Sequence, residues 1–221
     1  MHDIKRLAIV AGGPDKNIPN ISHYNKEIDY WIGCDRGALT ILKHQLPLNL
    51  AIGDFDSVTE REREQIRSYA TRTDMYPVEK DYSDLELAIK AAYALNIEEI
   101  ILFGVTGGRL DHELLVIFIL EKYLIEGVKI SVIDRQNEIT VYLPGRYRLE
   151  QDDRYPKLSF LPMSEVVHKL HLEGFYYPLT NVDVKRGDSL TLSNHLIGQY
   201  GYFSFDNGIL ILIKSSEQLN D

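Results

Sequence analysis

The chain has 221 residues, with 33 acidic and 24 basic side chains and a formal net charge of −9. That length allows one large domain or two small ones with a real core. The acidic balance and the lack of a long basic run argue against a nucleic-acid partner, although a metal can still screen the phosphates of a nucleotide. The single cysteine, Cys34, leaves no disulfide framework and no cysteine zinc site.

The first apolar run, Leu7-Ala8-Ile9-Val10-Ala11, is soon broken by Gly12-Gly13-Pro14. It is too short for a signal peptide or a membrane span, so a cytoplasmic protein is expected. Tyr30-Trp31-Ile32-Gly33-Cys34 is a second run, ending at Asp35, and Leu50-Ala51-Ile52 is a third. Ile100-Ile101-Leu102-Phe103 and Ile130-Ser131-Val132-Ile133 follow. Such runs, bounded by turns, fit strands covered on both faces. Helical patterns lie between them. Ser83-x-x-Glu86 is a capping-box signature, with Leu85, Ala88, Ile89 and Ala92 on one face behind it, and Thr59-x-x-Glu62 starts another helix. Residues 111–126, with Leu114, Leu115, Phe118 and Ile119, read as a mostly buried helix. Alternating strand and helix predicts a mainly parallel α/β sheet with helices on both sides, whose ligands bind beyond the carboxyl ends of the strands.

After about Asp134 the helix signal fades. Short strands are expected at Glu138-Ile139-Thr140-Val141-Tyr142-Leu143, Lys157-Leu158-Ser159-Phe160-Leu161 and Lys169-Leu170-His171-Leu172. Others are expected at Ser189-Leu190-Thr191-Leu192, 200–205 and 208–213, with a polar tail over 215–221. Turn residues at Pro144-Gly145, Arg186-Gly187-Asp188 and Asp206-Asn207-Gly208 punctuate them, which is the pattern of an antiparallel β-sandwich. The expected organisation is an α/β domain over 1–134 and a C-terminal antiparallel β-sandwich domain over 135–221.

The chemistry concentrates at the strand ends. Asp54 and Asp56 flank Phe55; in an extended segment they would project to the same side and share one metal. The plainer alternative is a turn in which Asp56 or Ser57 caps the next helix. Asp81 and Asp84 surround a helix start, where a first-turn carboxylate is also favoured by the helix dipole. Gly104-Val105-Thr106-Gly107-Gly108-Arg109-Leu110-Asp111-His112 follows a strand and opens a helix. Its glycines let the backbone approach a phosphate, Arg109 can clamp phosphate oxygens, and Asp111 can complete a metal site. Gly12-Gly13 can also cradle phosphate, without the Gly-Lys-Ser/Thr of a P-loop, and Asp35 can bind a nucleotide or merely end its strand. Several carboxylates on one sheet edge repel each other unless a cation joins them. Oxygen-only ligands suit Mg²⁺ carrying a polyphosphate, and the pattern points to phosphoryl transfer.

Gly53-Asp54-Phe55-Asp56-Ser57, Asp81-x-Ser83-Asp84 and Gly107-Gly108-Arg109-x-Asp111-His112, in that order, resemble the thiamine pyrophosphokinase family. Glu173-Gly174-Phe175-Tyr176-Tyr177-Pro178-Leu179 and Ser193-Asn194 extend the resemblance over nearly the whole chain. It implies an N-terminal ATP-binding domain, a C-terminal β-sandwich, and a homodimer with thiamine sites at the subunit interface. The implied reaction transfers the pyrophosphoryl group of ATP to the thiamine hydroxyl, giving thiamine diphosphate and AMP. Asp54, Asp56, Asp84 and Asp111 become the Mg²⁺ and phosphate-positioning carboxylates, with Asp81 joining them or binding substrate. Gly12, Gly13, Asp35, Thr106 and Arg109 fall on the ATP side; Asp84, His112, Tyr177, Ser193 and Asn194 fall near thiamine. Either Asp84 or Asp81 would take the hydroxyl proton. The chain departs from the pattern at Arg36, where a small residue is expected, and at Tyr177, which replaces the tryptophan of some relatives.

Overall fold

The computed structural model describes residues 4–77, 79 and 81–220. Five parallel pairings build the first half from β1 (Arg6–Val10), β2 (Tyr30–Cys34), β3 (Leu50–Gly53), β4 (Arg72–Met75), β5 (Glu99–Phe103) and β6 (Lys129–Ile133). They alternate with α1 (Arg36–Lys43), α2 (Glu60–Tyr69), α3 (Asp84–Tyr93) and α4 (Leu110–Ile125). The sheet does not stop near residue 134. The antiparallel strands β7 (Asn137–Tyr142), β13 (Leu210–Ser215) and β9 (Lys157–Pro162) continue it, giving the order β4-β3-β2-β1-β5-β6-β7-β13-β9. A second, four-stranded antiparallel sheet, β11-β10-β12-β8, is built from β8 (Gly145–Glu150), β10 (Val166–Glu173), β11 (Leu179–Lys185) and β12 (Tyr200–Phe205).

Strand alternation assigns the core to three layers. Leu7, Ile9, Ile32, Ile52, Ile100 and Leu102 point to one face and pack on Ala88, Ile89 and Ala92 of α3 and Val116, Ile119 and Leu120 of α4. Ala8, Val10, Trp31, Ala51, Ile101 and Phe103 point to the other and meet Ala38 and Ile41 of α1 and Ile66 of α2. Both expected capping boxes are present: Thr59 with Glu62 starts α2, and Ser83 with Glu86 starts α3. The sandwich core joins Phe160, Leu210 and Leu212 of the long sheet to Leu170, Leu172, Val184, Phe203 and Phe205 of the short one. One layer of the sandwich is therefore the tail of the α/β sheet.

Two expectations change, and the polar tail turns out to be held. Residues 189–192 form no strand; they turn, with the Thr191 hydroxyl donating to the Phe160 carbonyl. Helix α4 is apolar nearly all round, and only Val116, Ile119, Leu120 and Tyr123 are buried, so Leu114, Leu115 and Phe118 lie exposed. The tail beyond β13 folds back, where the Asn220 N–H donates to the Arg135 carbonyl and the Arg135 Nε to the Asn220 carbonyl. Among the described residues no helix is long and apolar enough to cross a membrane.

At the edge of the sheet opposite the strands' carboxyl ends, Glu99 bridges Lys129 (2.6 Å) and Arg6 (2.7 Å). Burial pushes its carboxyl up, but the two cations outweigh burial and hold it below its ordinary value. A lowered folded-state pKa stabilises the fold fully above the unfolded carboxyl value, and that stability disappears as pH falls through the folded value. Glu99→Gln should therefore cost about 1–2 kcal/mol near pH 7. In thermal melts the difference from wild type should shrink and close as pH falls through and below the ordinary carboxylate range. A gap that persists there would assign the loss to packing.

Candidate active site

The chain moves outward from β1 to β2, β3 and β4, then returns to lay β5 on the other side of β1. This reversal opens a crevice between the carboxyl ends of β1 and β5, the place where doubly wound sheets bind ligands. The two strand-end turns touch there. The Gly13 N–H donates to the Gly104 carbonyl at 2.8 Å, and a Cβ on Gly13 would collide with that oxygen. Gly104 has φ +67°, and a Cβ on it would collide with the Ala11 carbonyl. A side chain is thus excluded at Gly13 and at Gly104, and their backbone lines the crevice.

A cleft of about 1010 Å³ lies over this point. It gathers Gly12, Gly13, Asp35, Asp54, Asp81, Asp84, Thr106, Arg109, Asp111 and His112 from five different loops. Asp56 is not on its wall. The segment is not extended: Gly53 has φ +145° and Phe55 φ 57°, so the chain turns and the same-side argument for Asp54 and Asp56 does not apply. The turn is firmly held. Phe55 is buried, its N–H donates to Asp35 Oδ1 at 3.0 Å, and its carbonyl accepts from Arg63 Nη2 at 2.9 Å. A Cβ on Gly53 would strike the Asp35 carboxylate. Asp35 thus braces the Asp54 loop as well as lining the cleft. The Asp56 N–H donates to Asp54 Oδ1 at 3.0 Å and fixes the direction of that carboxylate.

On the opposite wall, Arg109 grips Asp111 through Nη2 to Oδ2 at 2.6 Å and Nε to Oδ1 at 3.2 Å. The guanidinium holds the Asp111 carboxyl below the usual carboxylate range. Both side chains are exposed, and an exposed ion pair is worth little, so it opens at small cost to free a cation for phosphate and a carboxylate for a metal. The Cys34 thiol also borders the cleft. Burial, reinforced by Asp35 and Asp84, pushes it well up, so it stays a neutral thiol and offers no nucleophile at pH 7.

Sequence reasoning missed the groups that shape the glycine loop 104–109. Buried Asp134 accepts the Thr106 hydroxyl at 2.8 Å and the N–H groups of Gln136 and Asn137, each at 2.7 Å. Glu113 accepts the Gly108 N–H at 2.8 Å, and Asn17 Nδ2 reaches the Thr106 carbonyl at 3.4 Å. An aspartate at a strand end, two positions before Gln136-Asn137, is the available signal, since such residues bond the backbone two positions on.

Tyr177, Ser193 and Asn194 come together elsewhere, at one end of the sandwich. Asn194 is buried and clamps the Tyr177 backbone, accepting its N–H at 3.0 Å and donating to its carbonyl at 2.9 Å. Ser193 is held at φ 54°, with its N–H on Ser159 Oγ. The Tyr177 ring is more than half exposed and meets Tyr176 edge-on, which itself stacks on His195. None of these three residues lines the cleft of its own chain.

The carboxylates of Asp54, Asp81, Asp84 and Asp111 on the cleft wall are hard oxygen donors, a set that suits a hard divalent cation. Among the described residues no three metal-binding side chains stand close enough to form a ready-made cage. Mg²⁺ does not depend on such a cage, since it completes its shell with water and substrate phosphates.

Two family models match separate stretches of the chain. Residues 21–132 match the family model for the thiamin pyrophosphokinase catalytic domain, and residues 146–210 match that for the vitamin B1 binding domain. The thiamine pyrophosphokinase of Bacillus subtilis (strain 168) is 44% identical over 214 residues, covering 97% of this chain and 100% of that one. The crystal structure of the Bacillus subtilis thiamine pyrophosphokinase superposes with a TM-score of 0.91 at 43% identity, over 97% of this chain and 100% of that one. A thiamin pyrophosphokinase family protein from Enterococcus faecalis superposes with a TM-score of 0.87 at 35% identity, over 97% and 100% of the two chains. With nearly full-length coverage at such identity, and the acidic loops and glycine turns assembled around one crevice, this chain belongs to the thiamin pyrophosphokinase family.

Proposed function

We propose that the chain transfers the pyrophosphoryl group of ATP to the hydroxyl of thiamine, releasing thiamine diphosphate and AMP. The observation that carries this reading is the meeting of Asp54, Asp81, Asp84 and Asp111 with two glycine turns and Arg109 in one crevice at the β1/β5 reversal. The thiamine hydroxyl oxygen attacks the β-phosphorus. The bond from that phosphorus to the oxygen bridging the α-phosphorus breaks, and AMP keeps that oxygen. Asp54, Asp84 and Asp111, together with substrate phosphates, would hold Mg²⁺, which would supply charge neutralisation on the polyphosphate. The protein's own contribution is positioning and electrostatics, as phosphoryl transfer requires. The backbone at Gly12, Gly13 and 104–109 admits the phosphates, Arg109 swings from Asp111 to grip them, and Asp84 or Asp81 receives the hydroxyl proton. Asp56 aims Asp54 through its N–H.

The thiamine half of the site is supplied by a second copy of the chain. Tyr177, Ser193 and Asn194 do not reach the cleft of their own chain, whereas Tyr177 offers an exposed aromatic face suited to a thiazolium cation. Helix α4 leads away from His112 with Leu110, Leu114 and Phe118 exposed at successive turns, a stripe that a partner would cover. The functional division falls near residue 134, with ATP on 1–134 and thiamine binding on 135–221, and the partner meets both 135–221 and the α4 stripe, in a cytoplasmic homodimer.

The test is to incubate the protein with thiamine, ATP and Mg²⁺, separate the products, and weigh the particle by light scattering. Equal AMP and thiamine diphosphate from a particle of twice 25.4 kDa is the expected result. ADP with thiamine monophosphate would mean a one-phosphate kinase, and a fully active monomer would sink the shared site.

A further inference from the structure

We infer that Arg36 binds the phosphate that stays on the nucleotide, the one retained in AMP. The inference rests on the ATP reading above and adds a residue to it. Arg36 is the first residue of α1 and borders both the main cleft and a side pocket of about 320 Å³. The backbone of Gly12 lies directly against it, since a Cβ there would sit 3.5 Å from the Arg36 Cβ. Its guanidinium is exposed and makes one hydrogen bond to the protein, from Nη1 to the Ser57 carbonyl at 3.3 Å. Among the described residues no carboxylate lies within ion-pair distance of it, in contrast to Arg109, which Asp111 already neutralises. The other three helices place acids in the first turn, whereas α1 has none there and carries this cation instead. A cation at that end of a helix is disfavoured unless an anion joins it.

Position selects which anion. The carboxylates at the starts of α3 and α4, with Arg109, hold the metal and the transferred group. Arg36 stands across the Gly12-Gly13 turn from them, at the mouth of the side pocket. Beside apolar Leu39 and Leu42 the pocket carries hydrogen-bonding Thr40, Glu62 and Gln65, and its other cation, Lys43, is paired with Asp15 at 3.4 Å, so the lining offers a nucleoside both apolar surface and polar partners and leaves Arg36 as the cation for phosphate. The α-phosphate is the joint between nucleoside and transferred group, and Arg36 is at the corresponding joint of the site.

The experiment is calorimetric titration of AMP into wild type, Arg36→Ala, Arg36→Lys and Arg61→Ala, with steady-state kinetics on each. Arg61 lies on the exposed face of α2, outside the cleft, so its variant removes the same charge elsewhere. Arg36→Ala should weaken AMP by about 10- to 100-fold and raise the KM for ATP similarly. The KM for thiamine should stay within about twofold, Arg36→Lys should recover part of the loss, and Arg61→Ala should match wild type. Unchanged AMP affinity in Arg36→Ala, with wild type binding normally, overturns the assignment and leaves the enzyme reading intact. A fall in kcat with both KM values unchanged makes Arg36 a strut for the Asp54 loop through Ser57, and also overturns it. If wild type itself binds neither AMP nor ATP, the enzyme reading fails and takes this inference with it.

Discussion

Asp84→Asn is expected to reduce thiamine diphosphate formation by about 10²- to 10³-fold while the protein stays folded. The two effects separate because the start of α3 does not depend on the Asp84 charge. Ser83 Oγ accepts the Glu86 N–H at 3.2 Å, and Glu86 Oε2 accepts the Ser83 N–H at 3.4 Å, closing the cap from both sides. Asparagine has the same shape, so the loss to the fold is the helix-dipole contribution of one first-turn carboxylate, at most about 1 kcal/mol. That corresponds to a melting shift of about 2–4 °C. The loss to the reaction is larger, because a formal charge facing the polyphosphate and its cation acts in a partly enclosed cleft. Titration with Mg²⁺ then separates the two roles open to Asp84. A ligand variant regains rate as Mg²⁺ rises, whereas a variant lacking the proton acceptor does not and changes its pH–rate profile instead. Activity within about threefold of wild type would remove Asp84 from the site.

The acidic residues were legible because each sits in a short motif at the end of an apolar run, and the parallel sheet brings those ends together. The strands β1, β2, β3, β5 and β6 were legible for the same reason: burial on both faces leaves a continuous apolar run. Strand β4, Arg72-Thr73-Asp74-Met75, is an edge strand with no buried residue, so it carries no such run. In β8 only Leu149 is fully buried and in β11 only Val184, and both passed unread. The pairing of β7, β13 and β9 onto β6 was invisible, since it joins residues far apart in sequence through backbone contacts. Helix α4 was legible as a helix, but a nearly uniform apolar surface does not say which side faces the sheet. The extended reading of Asp54 and Asp56 failed for a local reason, and the turn offered beside it is what forms, with Thr59 rather than Asp56 or Ser57 capping α2. Gly53 and the buried Phe55 both take positive φ, and nothing in a bulky aromatic announces a left-handed backbone. The bracing of the glycine loop was the least legible part, because Glu113 and Asn17 act on backbone groups that no motif records, and the signal at Asp134 points to its own turn rather than to Thr106.

That bracing carries the second large expected effect. Asp134→Ala should destabilise the protein by about 3 kcal/mol and lower its melting temperature by about 6–12 °C. Asp134 is buried, and its two oxygens satisfy the Thr106 hydroxyl, two backbone N–H groups and the Asn137 side-chain amide at 3.1 and 3.2 Å. Alanine leaves all of these donors without that acceptor, and a buried donor left unpaired costs its full desolvation. Tyr155 still holds the chain at this point, since its hydroxyl donates to the Asp134 main-chain carbonyl at 2.6 Å, so the strand end survives while the loop is released. The functional consequence follows from position: Thr106 lines the cleft, and its hydroxyl is the tie between the loop that admits phosphate and the end of β6. A loosened loop raises the KM for ATP more than the KM for thiamine. Asp134→Asn divides the two contributions. Its remaining oxygen can still accept the Gln136 and Asn137 N–H groups, and the Thr106 hydroxyl can reverse to accept from the new amide, so most stability returns. Thr106→Val removes the tie alone. If Thr106→Val reproduces the KM change of Asp134→Ala without its melting shift, Asp134 is a positioning residue for the phosphate loop. If neither variant moves the KM for ATP, Asp134 stabilises only the turn after β6, and the glycine loop keeps its shape through Glu113 and Asn17.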